Sequence, residues 1–204
     1  MSILIQLGRV IMADKITTGT QTKDDNNIVT NKITNKFNKM IIETLEEQKK
    51  ILTKRKLDLE TWGENEKKEF EKIFGIKDEK ARQWILLGVN RMLILNGELK
   101  ATNFRPVDQN VHASVNKTQD KDFIIDIGKK FGNDKMRGRD SRVATLCHEM
   151  SHYGIILNTS DMTPSGNDPM KTSPKDFQIF ADNLVKKHDA GVMMNAYNIE
   201  RYFE

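Results

Sequence analysis

The chain has 204 residues, 33 basic against 29 acidic side chains, a net charge of +4 and 37% hydrophobic residues, enough for one domain with its own core. Its charges are interspersed, without the basic stripe and stacking aromatics of a nucleic-acid binder, so the balance serves solubility and no nucleic-acid partner is expected. The single cysteine, Cys147, excludes an internal disulfide, which leaves the core, or a metal, to stabilise the fold.

The opening SILIQLGRVIM is apolar but interrupted by Arg9. It has neither the basic run nor the small-x-small cleavage site of a signal peptide, and no stretch approaches the roughly 20 apolar residues of a membrane span. No recognisable signal peptide and a cytoplasmic location after synthesis are the expectation. Asp14 to Thr30 is crowded with Thr, Asn, Asp and Gly, so residues 1–30 read as a flexible leader and 31–204 as the folded domain. From about Asn31 to Lys56, Ile33, Phe37, Met40, Ile41, Leu45, Ile51 and Leu52 largely follow helical spacing and predict a long amphipathic helix. Further helices are expected over Glu64 to Phe74, ahead of Gly75, and over Asp78 to Leu95, ahead of Asn96-Gly97. NVHASVN (Asn110 to Asn116) and DFIIDIG (Asp122 to Gly128), with the polar KTQDK between them, predict a small hairpin or edge strand. Asp140 or Ser141 caps a helix running to about Tyr153. After a loop from Gly154 to Pro174, helices are expected over Lys175 to Lys187 and Ala190 to Phe203. The fold class is α+β, mainly helical, with a small β element.

The chemistry is concentrated in CHEMSH, residues 147–152. On a helix, His148 and His152 are one turn apart and share a face, within reach of one ion. Zinc held by two imidazoles and a third protein ligand keeps one position for water, whose pKa it lowers toward about 7. Glu149 follows the first histidine, where its carboxylate can take a proton from that water. Cys147 points about 100° away from His148 and reads as packing. His112 and His188 lack sequence partners that suggest ligation, and Trp62 and Trp84 read as fold anchors. The residues leave the third ligand open. Ile155 and Asn158 stand where a metzincin needs Gly and His, Glu200 and Glu204 are the only downstream glutamates, and Asp161 lies nine residues after His152 in NTSD.

HEMSH followed by NTSD resembles the signature of the aspzincins, the deuterolysin-like metallopeptidases that include lysine-specific fungal endopeptidases. Three other stretches are similar to the same family: TWGENEK, GRDSRVATLCHEMSH and NAYNIERYF. Together they cover about Leu59 to Glu204. The resemblance implies a zincin-like fold, one zinc per chain on His148, His152 and Asp161, and Glu149 as general base in peptide-bond hydrolysis. In the lysine-specific members an Asp and a Glu of the closing segment bind the substrate's lysine, and the matching positions are Tyr197 and Glu200. Two departures stand out. Asn158 replaces a glycine, a mild change because Asn tolerates left-handed backbone. Pro164 replaces a tyrosine whose hydroxyl stabilises the oxyanion, with Tyr153, Tyr197 and His188 as candidate substitutes. Relatives without disulfides or signal peptides resemble toxins or effectors delivered by a specialised secretion system, which implies a protein or peptide substrate and an immunity or inhibitor protein as partner. A zinc-binding interaction module without activity and a cell-wall peptide hydrolase are the competing readings.

Overall fold

The computed structural model describes residues 28–117, 121–164 and 171–204. Residues 1–27 of the expected leader, the middle of KTQDK and residues 165–170 of the long loop lie outside the described residues, and Val29 is buried in the core.

Helix α1 (Asn35–Thr61) buries Phe37, Ile41, Leu45, Gln48, Leu52, Arg55 and Leu59, one stripe at helical spacing. It starts later than the periodicity predicts, because the Thr34 hydroxyl accepts the Phe37 N–H at 3.1 Å and caps it there. It also ends later, since Leu59 extends the buried stripe and Trp62, at φ 47°, turns the chain out of the helix. Helix α2 (Glu64–Phe74) has the expected bounds and stops at Gly75, whose φ of 70° suits a residue without a Cβ. Helix α3 (Glu79–Glu98) runs past the expected stop. The Asn96 side chain is spent inside the fold, donating to the Leu45 carbonyl at 3.0 Å and to Gln48 Oε1 at 2.8 Å, so it reads as packing and does not end the helix.

Strands β1 (Phe104–Pro106), β2 (Ala113–Val115) and β3 (Ile125–Ile127) form one small sheet in the order β1-β3-β2. The expected hairpin is the antiparallel pair β2 and β3, with Ser114 opposite Asp126, while β1, parallel to β3, is an addition the sequence did not announce. A short helix, α4 (Lys129–Asn133), follows, then α5 (Arg142–Ser151), α6 (Pro174–Lys186) and α7 (Ala196–Tyr202). The single closing helix expected from Ala190 is corrected to a 3-10 turn over Ala190–Met194 and then α7, broken at Asn195.

Helix α5 is the centre of the molecule. Every residue from Val143 to Ser151 is buried, among α1, α3, α7 and β2. Ser141 caps it by accepting the Ala144 N–H at 3.3 Å. Buried among these helices, Gln48 donates toward Met150 Sδ at 3.1 Å and Cys147 Sγ at 3.5 Å, and burial pushes the Cys147 thiol up to about 12, as suits a packing residue. TWGENEK and NAYNIERYF, far apart in sequence, meet through aromatic rings. Trp62 lies 5.1 Å edge-on from Phe70, Phe70 lies 5.9 Å from Tyr202, and Arg55 covers the Tyr202 ring at 4.6 Å.

Candidate metal centre and cleft

Helix α5 ends at His152, and the chain then doubles back so that its next segment meets the helix it has just left. Asn158, at φ 54°, makes the reversal in the left-handed region that asparagine tolerates. The returning strand locks onto the helix: Thr159 N–H donates to the Ser151 carbonyl at 3.1 Å, and the Ser151 and Thr159 hydroxyls share a hydrogen bond of 2.6 Å. Arg91 of α3 braces the turn through the Ile156 carbonyl at 3.1 Å.

On its far side the same segment is clamped by the approach to α7. Ser160 N–H donates to the Met194 carbonyl at 2.9 Å, Ala196 N–H to the Ser160 carbonyl at 3.0 Å, and Met162 N–H to Asn195 Oδ1 at 3.3 Å. Asn195 in turn donates to Asn198 at 2.7 Å, and Asn198 to the Ala181 carbonyl at 3.3 Å. The closing segment therefore fixes the backbone on both sides of Asp161, through Met194 and Ala196 before it and Asn195 after it. Lys117, just after β2, adds a strap, donating to the Thr159 carbonyl and, at 3.0 Å, to Ser160 Oγ.

The result brings His148, His152 and Asp161 together, with one ligand atom of each lying within 4.8 Å of the others. The chemistry of this donor set fits a divalent zinc ion. His152 Nδ1–H donates to the Thr159 carbonyl at 3.1 Å, and His148 Nδ1 meets Glu200 Oε2 at 3.0 Å, so both rings turn Nε2 toward Asp161. His148 Nε2 lies 3.0 Å from Asp161 Oδ1, and His152 Nε2 lies 3.7 Å from the same oxygen. The first is a hydrogen bond from the protonated His148, whose Nε2 proton a cation bound by the same atoms displaces, and the second is too long for one. Burial alone would lower the His148 pKa, but its bonds to Asp161 and Glu200 raise it well above 6.5. His152 moves the other way, held at about 4 by burial and the neighbouring His148 charge, so it presents a neutral, ligating imidazole.

Glu149 sits beside these atoms, 8% exposed. Burial, opposed by His148 and reinforced by Asp161 and Glu200, pushes its carboxyl up to about 7, while the Val115 N–H of β2 donates to it. That bond marks β2 as the wall of the site. The His112 carbonyl accepts the Gly128 N–H on the β3 side, so the polar groups of Ala113 and Val115 turn toward the cleft.

Two hollows flank the centre. One of about 250 Å³ is lined by His112, Lys130, Thr145, His148, Glu149, Asp161, Tyr197 and Glu200 among others. The second, of about 340 Å³, is lined by Ala113 to Val115, Lys117, Glu149, His152, Ser160 and Asp161. Ala113, Glu149 and Asp161 belong to both. His148, Glu149, His152 and Asp161 thus converge here, as do Tyr197 and Glu200, which are three apart on α7 and project on one side. Two of the candidate tyrosine substitutes do not come near. Tyr153 is fully buried and donates to the Ile124 carbonyl at 3.3 Å, and His188 is bonded to the Gly75 carbonyl. Pro164 has neither an N–H nor a hydroxyl to offer.

His112, which has no sequence partner suggesting ligation, lines the cleft and is held by Asp134 at 2.6 Å. No sequence signal pairs it with a residue on the far side of β3. The Asp134 hydrogen bond raises the His112 pKa above 6.5. Because the folded value exceeds the unfolded one, the pair's stabilisation is full below about 6.5 and is lost as pH rises through the raised value. Thermal melts of wild type and His112→Gln between about pH 5.5 and 8.5 should therefore show a midpoint difference that shrinks toward alkaline pH. A difference that does not change with pH would count against the pairing.

No family model matches the sequence, and no curated protein matches it either. Among solved structures, a zinc peptidase from Grifola frondosa has the same fold, with a TM-score of 0.65 over 83% of this chain and 95% of that one at 16% identity. The chain has a zincin-like α+β fold. Among the described residues, no helix is long and apolar enough to cross a membrane.

Proposed function

We propose that the chain is a zinc-dependent metalloendopeptidase of the aspzincin type. The observation that carries this reading is the convergence of one ligand atom each from His148, His152 and Asp161 within 4.8 Å, with the Glu149 carboxylate beside them on the edge of β2. Its support is the zinc peptidase fold together with the HEMSH and NTSD stretches. Zinc held there supplies a lowered water pKa and a polarised carbonyl.

Glu149, already near 7 in its buried setting, takes the proton from water and returns it to the leaving amine. Glu200 holds the His148 ring and fixes its tautomer. The edge of β2 turned away from β3 can receive an extended peptide by strand addition, with the two hollows accommodating residues on either side of the scissile bond. A cleft continuing past the centre in both directions suits internal cleavage over trimming of chain ends. Tyr197 and Glu200 form part of the substrate wall, and only one of the two is a carboxylate, which argues against strict selection of lysine. Delivery as a toxin or effector, with an immunity protein as partner, rests on sequence resemblance alone.

The test is purified protein loaded with one zinc and offered a diverse peptide library. Cleavage at internal bonds, abolished by a chelator and restored by zinc, is the expected result. Stoichiometric zinc with no cleavage would favour a binding module, and cleavage confined to peptidoglycan fragments would favour a cell-wall hydrolase.

A further inference from the structure

Attack of water on a peptide carbonyl leaves negative charge on the former carbonyl oxygen, and a hydrogen-bond donor aimed at that oxygen is typically worth about 10²–10³ in rate. The cleft contains several donors, of which some are committed and others are placed on its far walls. Lys117 is engaged by the Thr159 carbonyl and Ser160. The Nδ1 of His112 is engaged by Asp134. Thr145 projects from α5 one turn ahead of Glu149, on the side of the base and not across from it. Lys130 belongs to α4, on the wall with His112.

Tyr197 is placed differently. Its ring meets His148 edge-on at 4.9 Å and lies parallel to Phe177, 13° between planes at a centroid distance of 4.9 Å. One aromatic neighbour fixes the plane and the other fixes the approach to the centre, so the phenol is preorganised and does not have to be recruited on binding. The carboxylates of Asp161, Glu200, Glu149 and Asp140 all lie close enough to act on its hydroxyl. The hydroxyl has no hydrogen-bond partner among the described residues. A half-buried phenol with an uncommitted O–H, held against a metal-site imidazole, is what an oxyanion needs and what a packing tyrosine ordinarily avoids.

We infer that Tyr197 is a catalytic residue whose hydroxyl donates a hydrogen bond to the carbonyl oxygen of the scissile peptide as that oxygen becomes an oxyanion. The proton stays on the phenol, and the bond strengthens as charge develops. The inference rests on the peptidase reading above and deepens it, moving Tyr197 from a wall contact to the reacting atoms. It also assigns the donor to α7, where it is fixed by Phe177 of α6, while the stretch following Asp161 supplies none at Pro164.

The experiment compares wild type with Tyr197→Phe, which keeps the ring, its stacking on Phe177 and its contact with His148. The expected result is a kcat about 10²–10³ lower, with KM, melting temperature and zinc content unchanged. Affinity for a phosphinic peptide, whose tetrahedral oxygens imitate the oxyanion, should fall with kcat, while affinity for the cleaved product stays the same. An unchanged kcat overturns the inference, and so does a loss confined to KM, which would return Tyr197 to substrate binding alone. A wild type that cleaves nothing sinks the peptidase reading itself. The phosphinic peptide then decides for Tyr197 separately, since equal binding by the two proteins removes the donor role.

Discussion

Asp161→Ala is expected to abolish stoichiometric zinc binding while leaving the fold intact. In the proposed ligand triad the carboxylate is the third member, lying 3.0 Å from His148 Nε2 and 3.7 Å from His152 Nε2. Its side chain is 41% exposed, so truncation leaves no buried void. The backbone around it does not depend on that side chain, because Ser160 and Met162 are held by Met194, Ala196 and Asn195. Glu200→Gln is the matched control. Glu200 supports His148 from behind through Nδ1 at 3.0 Å, and loss of such an outer partner typically weakens metal binding by about 10–100-fold. Elemental analysis and competition against a chelator should place Asp161→Ala well beyond that range, and the zinc-dependent rise in melting temperature should vanish with it. A variant that still carries one tightly bound zinc per chain would displace Asp161 as ligand and bring Glu200 forward.

How much of this was legible in the residues depends on the length of chain that each feature spans. Helices α2 and α5 were readable because their caps and stops are local. Gly75 ends the first, and Ser141 begins the second. Strand β1 was not readable, being three residues long and containing Pro106, and it forms only because Ile125 to Ile127 offers it a partner. The break between the Ala190 turn and α7 was hidden for a similar reason. Asn195 is buried and spends its side chain on Asn198 and on Met162 N–H, the latter in a loop more than thirty positions away. The histidine pair at one-turn spacing was legible, and so was the mild cost of Asn158, which takes the left-handed conformation expected of it. His148 to Glu200, 52 positions apart, and His112 to Asp134, 22 positions apart, are tertiary pairings that no local pattern encodes. The residues of the candidate metal centre were therefore legible as a set, whereas those that orient and surround them had to wait for the packing of α7 and β2 on α5.

Glu149→Gln should retain zinc and lose hydrolysis, by about 10²–10⁴ in kcat if the residue acts as a general base. Glutamine keeps the volume and still accepts the Val115 N–H through its amide oxygen, so neither β2 nor α5 has reason to shift. What it cannot do is take a proton. The pH behaviour gives the same argument a second handle. Burial raises the Glu149 carboxyl from 4.5 to about 7, and a cation on His148, His152 and Asp161 lowers it from there, because positive charge favours the carboxylate. Since the carboxylate is the working form, kcat/KM of the wild type should fall on the acid side, with its midpoint at or below about 7. In the metal-free protein the sign concerns stability. The raised pKa means that the folded state holds a proton the unfolded state has released, so the contribution present below 4.5 is lost as pH rises through about 7. Metal-free Glu149→Gln, neutral throughout, should escape that loss and melt above wild type at pH values past about 7. An inactive variant that also fails to bind zinc would show that Glu149 belongs to the ligand set. A variant as active as wild type would remove Glu149 from the chemistry altogether.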